Sequence, residues 1–113
     1  MATAFVQRVV EQLTKVLGED FEDRKYVRRW VRGRRASSFC AERRGVHHAT
    51  VWIPDEPGFR GLLPESERYV AARGRNSNLP KMLKPGHRVI KLKVWNEREL
   101  ARLTERLRSA PGH

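Results

Sequence analysis

The C-terminal third of the chain changes its hydrophobic period from two residues to three or four. Over residues 87–95 every second side chain is apolar, which is typical of a strand with one buried face. Those side chains are Ile90, Leu92 and Val94. Over 97–110 leucines recur at helical spacing and predict an amphipathic helix that Asn96 caps together with Glu99. These leucines are Leu100, Leu103 and Leu107. A strand that leads directly into such a helix restricts the chain to a mixed α and β architecture, because both apolar faces need a common core.

A second amphipathic helix is predicted over residues 3–17, and Gly18 is placed to end it. Its apolar stripe consists of Phe5, Val6, Val9, Val10, Leu13, Val16 and Leu17. Residues 36–53 predict a β-hairpin with its turn at 43–45, and Pro54 is expected to stop the return strand.

The remaining segments carry weaker signals. Residues 24–35 fit a helix and a strand almost equally, and we prefer the helix, because Tyr26, Val27, Trp30 and Val31 share one helical face. Residues 55–61 predict a loop, and Pro64 is expected to open a helix over 65–73. Residues 75–86 predict a long irregular connection.

These elements together predict one α+β domain over residues 1–113, a length that allows one modest core. A small antiparallel sheet of three or four strands would be covered by the N-terminal and C-terminal helices. No stretch is apolar enough to span a membrane, and the N-terminus lacks the pattern of a secretory signal. The single cysteine, Cys40, is interpreted as a small buried hydrophobe, and its use without a partner fits a reducing cytoplasm.

Charge is the clearest indication of function. The chain carries a formal net charge of +11, and residues 24–44 hold nine basic side chains against one acid. Arginine donors fit phosphate oxygens, so this segment predicts a polyanionic partner. The main candidate contacts are Arg28, Arg29, Arg32, Arg34, Arg35, Arg43 and Arg44. An acidic cluster over 19–23 is placed to screen part of the segment, and Trp30 is interpreted as a core residue rather than a stacking one.

A second basic set lies downstream, and its candidate contacts are Arg75, Lys81 and Lys84. The polar loop 74–78, which contains Arg75, offers backbone donors of the kind that hold phosphate. An ordinary solvated connection explains the same residues.

Catalysis has little support in the sequence. Two histidines, His47 and His48, could act on a phosphodiester together with His87, but neighbours on a strand point to opposite faces. No histidine and cysteine spacing indicates a metal site, and no cofactor motif is present. We therefore predict no catalytic residues, no metal and no cofactor.

The hairpin over 35–53 and the segment 87–95 leading into 97–110 resemble the YjbR-like proteins, also called the MmcQ/YjbR or double-wing family. The resemblance covers the last three quarters of the chain and is one of pattern, without a site motif. It implies an α+β domain of a kind often described as DNA-binding. The arginine-rich first half and the loop over 55–61 depart from the family pattern.

The sequence thus predicts non-catalytic binding of DNA or RNA through phosphate contacts. Two alternatives remain open: a small nuclease or toxin that uses His47 or His48 with His87, and a subunit whose basic face docks an acidic protein. The oligomeric state, including a homodimer, is open as well.

Overall fold

The structure is a computed structural model that describes residues 3–23, 27–30, 40–43, 47–55, 57–70 and 88–109. This part of the chain forms two helices and six strands. Their order is α1 (Ala4–Leu17), β1 (Phe21–Asp23), β2 (Val27–Trp30), β3 (Cys40–Glu42), β4 (Ala49–Pro54), β5 (Ser66–Val70), β6 (Arg88–Val94) and α2 (Glu97–Ser109). A short 3₁₀ helix, Pro57–Phe59, lies between β4 and β5.

All six strands belong to one sheet with the order β1-β2-β3-β4-β6-β5, and every neighbouring pair is antiparallel. The central pair, β4 and β6, runs in register from Ala49 opposite Val94 to Pro54 opposite Val89. The predicted α+β class with two flanking helices is confirmed. The predicted number of three or four strands is wrong, because the sheet has six.

Two segments that were predicted as helices are strands. Within 24–35 the described residues form β2, and within 65–73 they form β5. The strand β1 was not predicted at all. All three strands are short, and each completes its backbone hydrogen bonds with a neighbouring strand, so strand pairing outweighs the local preference. The predicted hairpin is confirmed where it is described, as the antiparallel pair β3 and β4, whereas residues 36–39 and 44–46 lie outside the described residues. Pro54 does not stop the strand before it, because it is the last residue of β4.

Both helices pack on one face of the sheet, which we call the inner face. Trp30 and Phe59 are its largest fully buried side chains. The predicted contact between β6 and α2 is confirmed, since their apolar residues belong to one buried cluster. Its members on these two elements are Ile90, Leu92, Val94, Leu100, Leu103 and Leu107.

The ends of the helices follow the sequence signals. Thr3 caps α1 by accepting a hydrogen bond from the backbone N–H of Val6 at 3.2 Å. Gly18 ends α1 with a φ of 104°, a conformation that favours glycine. Asn96 accepts from the N–H of Glu99 at 2.9 Å, and the Glu99 carboxylate accepts from the N–H of Trp95 at 2.9 Å.

The opposite side of the sheet, which we call the outer face, carries one row of residues across all six strands. Directly opposed neighbours in this row are Glu22, Arg29, Cys40, Trp52, Lys91 and Glu67. Side chains alternate along each strand, and Val51 and Ile53 belong to the inner core, so Trp52 points outward. The side chains of Arg29, Glu22, Lys91 and Glu67 point the same way, and the structure describes only the register position of Cys40. The row is acidic on the two edge strands, β1 and β5, and basic on the strands next to them, β2 and β6.

Candidate nucleic-acid interface

The first two candidate arginines form ion pairs with the strand beside them. Arg28 lies directly opposite Asp23, and its Nε and Nη2 donate to the two carboxylate oxygens at 2.8 and 3.1 Å. The same guanidinium lies 3.8 Å from the centroid of the Phe21 ring and donates from Nη1 to the Thr14 hydroxyl at 3.2 Å. Arg28 therefore joins β1, β2 and α1 through contacts within the fold.

Arg29 repeats this arrangement on the outer face. It lies opposite Glu22, and its Nη2 donates to the Glu22 carboxylate at 2.9 Å, with 12% of the side chain exposed. Arg43 adds a longer ion pair, 3.7 Å from Nη1 to the Asp23 carboxylate. The acidic cluster before β2 thus screens part of the arginine segment, as predicted, and two carboxylates neutralise much of the charge on β2.

The hydrogen bond from Arg28 lowers the pKa of the Asp23 carboxyl below its ordinary value of 3.8, and the charges of Arg28 and Arg43 act in the same direction. Partial burial opposes this shift. Asp23 consequently stays ionised in the folded protein at neutral pH, and the ion pair with Arg28 persists there.

Basic residues are concentrated in the connections between strands. The connections 24–26, 31–39, 44–46 and 71–87 carry ten of the chain's 24 basic residues and no acid. The remaining candidates, Arg32, Arg34, Arg35, Arg44, Arg75, Lys81 and Lys84, all belong to these connections and lie outside the described residues.

The strand ends fix where two of these connections begin and return. Connection 31–39 joins the end of β2 to the start of β3, and connection 71–87 joins the end of β5 to the start of β6. The register places these four strand ends at the same end of the sheet, since Arg29 is opposite Cys40 and Val70 is opposite Arg88. Arg32, Arg34 and Arg35 in one connection and Arg75, Lys81 and Lys84 in the other are therefore attached to one end of the sheet, whereas connection 44–46, which includes Arg44, joins β3 to β4 at the opposite end.

A different group of residues stands at the other end of the outer face. Trp95 follows β6 and His48 precedes β4, which extends this strand pair by one position beyond Ala49 and Val94. Their rings are in contact, with centroids 4.5 Å apart and planes tilted by 36°. Trp95 is 40% exposed and is the large hydrophobic side chain that the described surface leaves open to solvent.

Two lysines continue from Trp95 along the outer face of β6. Lys93 and Lys91 lie opposite Thr50 and Trp52, and the alternation of the strand points both toward the side of Trp95. They line a pocket of about 240 Å³ together with Pro64, Glu65, Ser66 and Glu67. The Lys93 ammonium lies 3.7 Å from the Glu65 carboxylate, and both side chains are over a third exposed.

Burial lowers the pKa of His48 below its ordinary value of 6.5, and the positive charges of Lys93 and Lys91 lower it further. The carboxylate of Glu65 opposes this shift. His48 is therefore a neutral ring at neutral pH and packs against Trp95 as an uncharged aromatic group.

Asp55 forms a separate buried ion-pair cluster at the end of β4. Its side chain is 3% exposed and accepts from Arg60 Nε at 2.8 Å and from Arg68 Nη2 at 3.1 Å. The bond from Arg60 lowers the pKa of Asp55, with Arg68 adding to the effect and desolvation opposing it. This cluster ties the loop after β4 to β5.

The histidines differ from the arrangement that the sequence predicted. Both His47 and His48 precede β4 instead of lying within it, and His48 contacts Trp95. His87 lies outside the described residues. Among the residues that the structure describes, no three histidine, cysteine or acidic side chains cluster as metal ligands would.

Sequence reasoning missed the group around Trp95. The signal was present, because Trp95 occupies the polar phase of the alternating strand, where a large aromatic residue has no core to fill. His48 carried no comparable signal, since only the pairing of β4 with β6 brings it beside Trp95.

No helix in the described part of the chain is long and apolar enough to cross a membrane. No protein-family model, no curated protein and no solved structure matches the chain. The resemblance to the YjbR-like proteins therefore stays a prediction, and the functional argument depends on the chain's own charges and contacts.

Proposed function

We propose that this protein binds nucleic acid, DNA or RNA, without catalysis, and that basic connections at one end of the sheet contact the phosphates. The observation that carries the proposal is the distribution of charge. Connections 31–39 and 71–87, which join strands at this end of the sheet, hold seven basic residues and no acid. Basic side chains that are collected without acids raise the local concentration of a polyanion, which supports contact with phosphates.

The paired arginines take a different role in this proposal. Arg28 and Arg29 are held by Asp23 and Glu22, so we assign them to the support of β2 rather than to phosphate contacts. The main contacts are then Arg32, Arg34 and Arg35 in one connection and Arg75, Lys81 and Lys84 in the other. We also propose a cytoplasmic location, which the single cysteine supports, because an unpaired thiol fits a reducing compartment.

The salt dependence of binding tests the proposal. Each basic residue that contacts a phosphate contributes about one unit to the slope of log K against log salt concentration. We expect the double variant Arg34→Ala, Arg35→Ala to reduce this slope by about 2. The matched control is Arg98→Ala, Arg102→Ala, which removes the same charge from the exposed side of α2 and should reduce the slope by less.

An equal effect of both double variants, or a slope near zero for the unmodified protein, would contradict the proposal. Purification at low salt gives an independent result. Nucleic acid that accompanies the protein supports the proposal, whereas an acidic protein in stoichiometric amount would favour the docking alternative.

A further inference from the structure

The outer face of β6 forms a track of side chains that ends in an exposed aromatic ring. Lys91, Lys93 and Trp95 occupy alternate positions and point the same way, about 6.8 Å apart along the strand. Trp95 is 40% exposed, although the other two tryptophans, Trp30 and Trp52, are buried. A tryptophan that the core does not use, beside two cations, is available to a ligand.

His48 supports the ring of Trp95 from one side. The centroid distance of 4.5 Å restricts the tryptophan's rotation, and the backbone N–H of Trp95 is held by the carboxylate of Glu99 at 2.9 Å. An aromatic side chain that is held in place loses little conformational entropy when a flat ligand stacks on it. The ring of Trp95 is therefore pre-organised for stacking and does not rotate freely.

The charges around the track narrow the class of ligand. Lys91 and Lys93 attract an anion, but Glu65 and Glu67 line the same pocket and repel one. This combination of two lysines and two glutamates is unfavourable for a cluster of phosphates or of acidic side chains. A nucleobase suits it, because the base is uncharged, has a face for stacking, and has edge amino groups that donate to carboxylates.

We propose that Trp95, supported by His48, stacks on an unpaired base of a single-stranded nucleic acid, with Lys93 and Lys91 beside the adjoining backbone. This inference rests on the proposed nucleic-acid binding and specifies the strand state of the partner. The bases of a duplex are stacked on one another, so their faces do not reach a side chain at the protein surface. A contribution from Trp95 therefore appears with single strands and is missing with duplexes.

The experiment compares one single strand with one duplex. The probes are a fluorescently labelled oligodeoxycytidine of about twelve nucleotides, whose bases carry an edge amino group, and a duplex of the same length, measured by anisotropy at fixed salt. We expect Trp95→Ala to weaken binding of the single strand by about 5- to 100-fold and to leave duplex binding nearly unchanged. Trp95→Phe should recover part of the loss, because phenylalanine keeps an aromatic face.

Control variants separate this inference from the proposed function. The double variant Arg34→Ala, Arg35→Ala should weaken the binding of both probes, since it removes contacts to phosphates. Lys93→Ala should flatten the salt slope for the single strand by less than about one unit, because its ammonium lies 3.7 Å from the Glu65 carboxylate. Thermal melts of Trp95→Ala show whether the fold is kept, which its exposure leads us to expect, and Trp95→Phe provides the comparison if the alanine variant unfolds.

Each outcome decides between the two claims. Equal losses for both probes in Trp95→Ala, or no loss for either, would overturn the stacking site while leaving the proposed function in place. Failure of the unmodified protein to bind either probe would overturn both. Binding of poly-glutamate that depends equally on Trp95 would overturn the base-stacking assignment in favour of an acidic polypeptide.

Discussion

Arg28 donates two hydrogen bonds to the carboxylate of Asp23, the residue directly opposite it on the edge strand β1. The pair forms a bidentate contact across the strands, and the Phe21 ring covers the guanidinium. This contact joins β1 to β2, within a segment whose sequence fits a helix and a strand almost equally. It also removes Arg28 from the set of arginines that are open to a phosphate.

Asp23 predicts a pH dependence of stability. Because the pKa of Asp23 is lowered in the folded state, its contribution is fully present above the ordinary pKa of 3.8 and is lost as the pH falls through the folded-state pKa. We expect the melting temperature to fall as the pH drops below about 4, and Asp23→Asn to reduce that fall. The control is Asp20→Asn, at an exposed position, which should follow the unmodified protein.

Truncation of the core predicts large losses of stability. Leu92 on β6 and Leu103 on α2 are fully buried in one cluster. Either change to alanine should lower the free energy of unfolding by about 2–4 kcal/mol, through lost burial and the cavity that remains. Denaturant titration measures this, with the exposed Glu105→Ala expected to change little. Unchanged stability in both leucine variants would contradict the observed packing of strand on helix.

The two buried tryptophans differ in hydrogen bonding and predict different responses to the same change. Trp30 Nε1 donates to the Gly18 carbonyl at 3.0 Å, whereas the buried Nε1 of Trp52 has no acceptor among the described residues. We expect Trp30→Phe to lower the free energy of unfolding by about 1 kcal/mol more than Trp52→Phe, because the second change removes an unsatisfied donor. Equal losses in denaturant titration would indicate that Trp52 has a partner.

The histidines predict an absence of cleavage. Burial and two nearby lysines lower the pKa of His48, and its ring packs on Trp95, an arrangement suited to stacking rather than proton transfer. We expect no hydrolysis of labelled DNA or RNA, with or without divalent metal. Cleavage that disappears in the triple variant His47→Ala, His48→Ala, His87→Ala would establish the nuclease alternative. Cleavage that persists in that variant would indicate a contaminant or other residues.

The sequence alone determined the elements whose side chains repeat with a clear period. α1, α2 and β6 were predictable to within a few residues, because each has an apolar stripe long enough to require a partner surface. Their caps, Gly18 and Asn96, were predictable for the same local reason. The clustering of arginines and the excess of positive charge were equally plain in the sequence.

Only the tertiary structure decided which short segments join the sheet and which charged side chains pair with one another. β1, β2 and β5 have three to five residues each, too few for a periodic signal, and they exist because neighbouring strands complete their hydrogen bonds. Register then decided that Arg28 and Arg29 meet carboxylates and that His48 meets Trp95. A charge count along the chain cannot supply such pairings, because the strength of an ion pair or a ring contact depends on distances that only the paired strands set.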